Sequence, residues 1–393
     1  MKFSIRTILR ATFTVALLFF QSPSFGNPYN KAFDYTCMWV VRNSILTERN
    51  IQDVVDFADE NGIKHLFVQV RGRGDALYKS AIVPRSGLLQ NDDYDPLQIM
   101  IEKAHAKGIK IHAWVNVYVL WSSGQAPYSR DHIFYKKQDW FDQNSKELEP
   151  LELLKKYRKG NGKDEGIYLA PHHPEVNQYL LAVFREVVAK YEIDGLHLDY
   201  IRYKDSQYGK NVKAMDEYTK SNGENPNIFL STKRLSSNDD SQFTAKVSRW
   251  GDYKRQAITE LVKNIDAMIE EVRPNCILSA AVKPNLYEAR DRFNQEWDVW
   301  LAAGYLDWAI PMNYTTSLRV FAKNIDIIYD NLPAKYRDKI VMGVATYNQN
   351  APDAADKIKY AKITRFPGVA LFSYNVLGKN PRYMDPLRSV LLR

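Results

Sequence analysis

The sequence predicts an α/β chain folded as a (β/α)8 TIM barrel with long loops after strands 3 and 4. Three observations lead there. Eight short runs rich in β-branched residues recur along the chain. Segments of helical hydrophobic period separate most of them. No glycine-rich phosphate loop follows the first run, which argues against an open doubly wound sheet. Strands joined by crossover helices pair in parallel, and eight such units over about 250 residues or more suit a closed barrel.

The first strand is Cys37–Val41. Thr47 then stands as an N-cap, Ile51, Val54, Val55 and Ala58 follow helical spacing, and Gly62 closes the helix. The second strand is His65–Val70, and Asp95-Pro96 opens a helix with a cap and a proline at its first position. That helix carries its stripe on Leu97, Met100, Ile101 and Ala104. Strand three is Ile109–Asn116 and strand four Gly195–Ile201, the latter delivered by a helix striped by Val176, Tyr179, Leu180, Val183, Phe184 and Val187. A helix from about Tyr253 to Val272 leads to strands at Cys276–Val282, Leu306–Met312, Lys339–Ala345 and Gly368–Tyr374.

Two connections exceed ordinary loop lengths, Tyr118 to His172 and Lys204 to Ser248. Loops this long are uncommon unless they carry function. Both leave the carboxyl ends of strands, where barrels build their sites. They read as cleft walls, the first with Trp121, Tyr128, Phe134, Tyr135, Trp140 and Phe141.

The amino terminus is of another kind. Lys2, Arg6 and Arg10 precede the apolar run Ala11–Phe20 and a small-residue stretch ending near Gly26. This is the layout of a secretory signal peptide over residues 1–26, followed by one barrel domain over 27–393. The expected location is periplasmic or extracellular, with no transmembrane segment once the signal is removed. The formal charge of +8 loses three positive charges with that segment and becomes +5. The remaining Lys and Arg are scattered, so no nucleic-acid footprint is expected. Cys37 and Cys276 read as free buried thiols. No Cys-x-x-Cys, His-x-x-x-His or Asp-His cluster suggests a metal, and no cofactor is expected.

The ends of the strands are rich in polar and aromatic residues. Arg71 and Asp75 follow strand two, Trp114 and Asn116 end strand three, and His197, Asp199 and Arg202 end strand four. Lys283-Pro284-Asn285, Asn313-Tyr314, Tyr347 and Tyr374 follow the remaining strands. Carboxylates, amides, arginines and flat aromatic faces together suit a sugar, whose C–H faces stack on rings while its hydroxyls take hydrogen bonds.

Asp199 is the leading catalytic candidate, since an aspartate inside the apolar strand Leu196, Leu198, Ile201 has little structural reason to be there. The plainer alternative is a lumen carboxylate paired with Arg202 or Arg71. Alternation puts His197 on the same face, either as a ligand contact or packed beneath the floor. Glycoside hydrolysis needs a second carboxyl group. Glu296 is the first choice, ahead of Asp75, Asp298, Glu288 and Asp291. Its alternative is an acid in a first helical turn, and that of Asp75 is a tight turn built on Gly72 and Gly74.

The motifs HLFVQVRGRGDALYKS, HAWVN, LAPHHPEV, YEIDGLHLDYIRY, QEW, GYLDWAIPMNY, GVATY and ALFSYN stand in an order that resembles the glycosyl hydrolase-like family 10 of bacterial exported proteins, over roughly residues 34–377. That resemblance implies a barrel glycosidase and a polysaccharide substrate, the glycan strands of peptidoglycan among the options. DGLHLDYI is also similar to the chitinase-type Asp-Gly-x-Asp-x-Asp-x-Glu motif. Asp194 and Asp199 match it, but His197 and Ile201 replace the inner Asp and the catalytic Glu. The α-amylase-type pattern fits better and implies Asp199 as nucleophile and Glu296 as acid, where family members tend to carry Asp. Arg71, Asp75, Trp114, Asn116, His197, Arg202, Asn285, Asn313, Tyr314, Tyr347 and Tyr374 are then the expected sugar contacts. The competing class is a catalytically inactive carbohydrate-binding barrel.

Overall fold

The computed structural model describes residues 32–144, 165–231 and 240–392. The expected signal segment lies outside them, as do residues 145–164 and 232–239 of the two long loops.

Eight parallel strands form the barrel: β1 Tyr35–Val40, β2 His65–Arg71, β3 Lys110–Asn116, β4 Gly195–Asp199, β5 Ile277–Val282, β6 Trp308–Pro311, β7 Val341–Ala345 and β8 Gly368–Phe372. Each pairs with its sequence neighbour, and β8 pairs with β1. The β6–β7 seam closes through parallel bridges at Ala309–Ile340 and Met312–Gly343. The expected strands are present, each starting or ending within two or three residues of its expected bounds.

Period-two alternation divides each strand between two cores. Met38, Val40, Leu66, Val68, Leu196 and Leu198 face the helices and join the main core. Cys37, Trp39, Phe67, Trp114, Trp308, Ile310, Val341 and Ala370 fill the lumen. Both cysteines are buried and unbonded. Gly195 is required in the lumen, since a Cβ there would run into the His112 ring.

The outer ring consists of α1 Glu48–Glu60, α2 Pro96–His105, α3 Val176–Lys190, α4 Asp240–Val272, α5 Trp297–Ala303, α6 Leu318–Asn331, α7 Ala351–Ile363 and α8 Met384–Leu391. The caps form as the sequence dictates. Thr47 accepts from Asn50 N–H at 3.1 Å and Asp95 from Gln98 N–H at 3.3 Å, each cap contributing about 1 kcal/mol. α4 starts earlier than its apolar stripe suggests, because its first turns pack Trp250 on Tyr218 and Phe229 of the preceding loop rather than on the barrel.

The described part of the loop after β3 carries secondary structure of its own. Val119–Trp121 pairs antiparallel with Ile167–Tyr168. Trp121, Phe134, Trp140 and Phe141 are buried and join the main core, Trp140 packing on Tyr179 of α3 at 5.4 Å, while Tyr128 is exposed.

Candidate active site

β4 carries the floor and the centre of the site on one face. His197 is fully buried. It accepts the indole N–H of Trp39 on Nε2 at 3.0 Å, which leaves Nδ1–H to donate to Ser279 Oγ at 2.9 Å. Its ring stacks on Phe67 with centroids 4.2 Å apart. Burial drives its pKa down to about 3, so the imidazole is neutral. Both nitrogens are spent beneath the site, and the residue belongs to the floor.

Asp199, two residues on, reaches the rim and remains 8% exposed. Its Oδ1 accepts the N–H of Tyr200 at 2.7 Å, a residue held at φ 52°. Burial raises its pKa to about 6, against the opposing pull of that hydrogen bond and of the cations Arg202 and Lys283. Burying a charge away from water favours the protonated form, and two nearby cations do not cancel the effect.

The alternative of a lumen carboxylate paired with Arg202 is not what forms. Arg202 is buried and turns Nη2 to both oxygens of Glu165, at 2.9 and 3.0 Å. Tyr168 donates its hydroxyl to Glu165 Oε2 at 2.6 Å. The guanidinium lies over the rings of Tyr200 (5.0 Å) and Phe293 (4.9 Å). Burial alone would raise the pKa of Glu165, but Arg202 and Tyr168 hold it below the usual carboxylate range. Each of Asp199 and Glu165 acts electrostatically on the other's cationic neighbours, and Glu165 helps raise the pKa of Asp199.

Two further groups converge here. Lys283, at the end of β5, has its ammonium 4.3 Å from the Phe293 ring, and burial and Arg202 lower its pKa to about 8. Tyr314 has a buried hydroxyl without a hydrogen-bond partner among the described residues. Its pKa is raised well above the usual range by burial first and Asp199 second, so it stays a proton donor. Its ring stacks on Phe372 at 5.3 Å and meets Trp39 edge-on at 6.2 Å.

The other expected contacts are placed mostly in support. Asn116 accepts from Trp114 Nε1 at 3.0 Å and donates to the Gly72 carbonyl at 2.9 Å. Arg71 is fully buried and donates to the carbonyl of Asn116, clamping the end of β3. Asp75 accepts from Arg73 N–H at 3.0 Å and Ser86 Oγ at 2.6 Å, which is the turn arrangement. Asn285 caps the short helix Leu286–Phe293 by accepting from Tyr287 and Glu288 N–H. Asn313 is tied to the Phe321 carbonyl and to Asn324. Tyr347 is exposed on the rim, 6.4 Å from Tyr314. Tyr374 packs on Phe57 and lines a separate pocket with Asn43, Asn50 and Asn375.

Glu296 stands apart from Asp199. Gln295 before it takes the inward position, accepting from Lys283 N–H at 2.8 Å and donating to the Ile201 carbonyl at 3.3 Å. Glu296 therefore faces α4, accepting from Thr259 Oγ1 at 2.9 Å with Arg255 and Arg290 3.8 and 3.7 Å away. Of the remaining acids, Glu288 pairs with Arg292 at 3.1 Å and Asp298 with Arg290 at 3.6 Å. The structure thus gathers Asp199, Arg202 and Tyr314 from the expected set and adds Glu165, Tyr168, Lys283, Trp39 and Phe372. Lumen alternation in β1 and β8 signals Trp39 and Phe372. No spacing signals Glu165, which comes from a long loop. Among the described residues no group of three or more His, Cys, Asp or Glu could hold a metal ion, and no helix is long and apolar enough to cross a membrane.

The chain is similar to several known proteins over most of its length. The model of the glycosyl hydrolase-like 10 family matches residues 36–362. Glycosyl hydrolase DigH of Escherichia coli K12 is 27% identical over 332 residues, covering 76% of this chain and 66% of its own length. The chain therefore spans about two thirds of that relative. Glycosyl hydrolase YngK of Bacillus subtilis is 23% identical over 381 residues, covering 87% of this chain and 67% of YngK. Among solved structures, the PgaB (BpsB) glycoside hydrolase domain from Bordetella bronchiseptica superposes with a TM-score of 0.68 at 11% identity, over 91% of this chain and 98% of that one. The catalytic domain of a β-amylase from Paenibacillus polymyxa gives 0.58 at 12% identity, over 92% and 98%. Those two likenesses establish the barrel. With the sequence match over most of its length, the chain belongs to the glycosyl hydrolase-like 10 family.

Proposed function

We propose that the protein is a glycoside hydrolase that cleaves a polysaccharide with Asp199 as proton donor and Glu165 as the ionised carboxylate. One observation carries the reading. Two carboxyl groups on one rim are pushed apart, Asp199 up to about 6 by burial and Glu165 below the usual range by Arg202 and Tyr168. Paired carboxyls held in opposite protonation states are what glycosidic cleavage requires. Asp199 protonates the leaving oxygen, and Glu165 stabilises the positive charge that develops at the anomeric carbon or activates water against it. Tyr314 donates its free hydroxyl to the sugar, and its ring with Phe372 offers an apolar face. The Glu296 position serves instead to dock the start of α5 on α4.

The substrate we propose is a bacterial cell-wall glycan, met outside the cytoplasm. The signal-like first 26 residues and the mildly basic remainder support this, since a positive protein favours an anionic wall. The test is release of reducing ends from purified peptidoglycan sacculi, with and without peptide side chains, alongside a polysaccharide panel. Fragments released by the wild type and lost in Asp199→Asn support the reading. Equal glycan binding by both proteins with no release by either would make the chain a carbohydrate-binding barrel.

A further inference from the structure

Beside the Asp199 site, a second pocket of about 550 Å3 opens between the segment after β4 and the first half of α4. The two are joined through the Phe293-Asn294 pair. Phe293 turns its ring to Arg202 and Lys283 and accepts the N–H of Tyr203 at 3.0 Å. Asn294, at φ 52°, turns the chain and lines the pocket.

Among the described residues the pocket wall carries Lys210, Lys254 and Arg255, against a single acid, Asp291. Arg255 is already engaged, by Asp252 and by Glu296. Two donors are unspent. Asn294 is 2% exposed and its Nδ2 has no partner among the described residues. Lys254 is 7% exposed and donates no hydrogen bond among the described residues, its ammonium lying 5.3 and 6.0 Å from the rings of Tyr203 and Trp250.

The acid behind Lys254 compensates it poorly. Asp142 is buried, spends Oδ1 on the N–H groups of Gly209 and Gln143, and has Oδ2 unpartnered among the described residues. Burial raises its pKa to about 7, so near neutral pH only part of its charge is available to the ammonium. A buried ammonium without an anion is costly, and a hydrogen-bonded carboxylate relieves that cost far better than a sugar hydroxyl.

We propose that this pocket is an outlying subsite for a carboxylate carried on the saccharide chain, held by Lys254 and Asn294 with Lys210 at its edge. The proposal rests on the glycan-cleaving reading of the Asp199 site, whose substrate would continue across Phe293 into the pocket. A charged hydrogen bond of this kind corresponds to about a tenfold preference in binding.

The test is calorimetric binding to the full-length protein bearing Asp199→Asn, so that nothing is cleaved. The probes are peptidoglycan glycan strands stripped of peptide, which keep a lactyl carboxylate on alternate sugars, and the same strands with that carboxyl reduced to an alcohol. The expected result is about tenfold tighter binding of the acidic strands, erased by adding Lys254→Met, with the reduced strands bound as before. If Lys254→Met does not fold, Lys210→Glu is read in its place and must also erase the preference. Equal binding of the two strands by the parent, or a preference that survives in the folded variant, overturns the subsite. Should wild type release no fragments while the acid preference disappears with Lys254, the subsite stands and the hydrolase reading falls.

Discussion

Nη2 of Arg202 lies 2.9 and 3.0 Å from the two carboxylate oxygens of Glu165, and this pairing leaves Asp199 without a direct ion-pair partner among the described residues. An arginine next to an aspartate on the same strand end would ordinarily keep that aspartate ionised. Here the guanidinium is committed elsewhere, so burial dominates at Asp199 and its proton is retained to about pH 6.

Activity should follow a bell-shaped pH profile. A donor must hold its proton, so kcat/KM falls as pH rises through about 6, where Asp199 ionises. The acid limb belongs to Glu165 and lies below the usual carboxylate range. Asp199→Asn should cost about 10²–10⁴-fold in kcat/KM while circular dichroism stays unchanged. A rate that rises through pH 6 would instead make Asp199 the nucleophile.

Lys283 should set the position of the alkaline limb. Its ammonium stabilises the ionised form of Asp199, so Lys283→Met raises the pKa of Asp199 and moves that limb to higher pH. Full pH profiles of wild type and variant check this. A limb that stays in place would show that Lys283 does not act on the titrating group.

Removing Arg202 should cost stability as well as rate. Its side chain is 3% exposed while Glu165 is 37% exposed, so solvent recovers part of the loss. Arg202→Met is expected to lower unfolding free energy by about 2 kcal/mol, between the values for surface and buried pairs. Urea titration measures it. Glu165→Gln, by contrast, should lose activity with a smaller loss of stability, because the amide still accepts from Arg202 and Tyr168.

Stability should fall as pH drops from about 6.5 towards 3. His65, His172 and His197 have folded pKa values of about 4, 3 and 3, burial being the main cause, and His112 is lowered well below its usual value. Each is neutral when folded and protonated when unfolded across that window, so the unfolded state takes up more protons. Asp199 and Asp142 work the other way, since their folded pKa values of about 6 and 7 lie above the unfolded value. His132 and His173 are also lowered and Asp266 also raised, chiefly by burial, so six histidines against three aspartates leave the net slope positive with pH. Denaturant midpoints across pH 4–7 test the sign; a flat or inverted trend would sink the account.

The sequence by itself determined the barrel, its strands and the caps of α1 and α2, because these follow from local hydrophobic period and capping chemistry. It also singled out Asp199, since a carboxylate in an apolar strand has few structural uses. Tertiary structure alone decided which acid could stand with it. Glu165 arrives from a loop 37 residues before its partner Arg202, and nothing in local spacing encodes that meeting. Glu296 does not face Asp199 because Gln295 fills the inward position by bonding to Lys283 and Ile201, which sends the next side chain towards α4. Most amides and arginines at the strand ends were likewise consumed in holding carbonyls and N–H groups of neighbouring loops. Residue type and strand position show where polar groups collect. Whether they face a substrate depends on which buried hydrogen bonds must be satisfied first, and only the packed structure settles that.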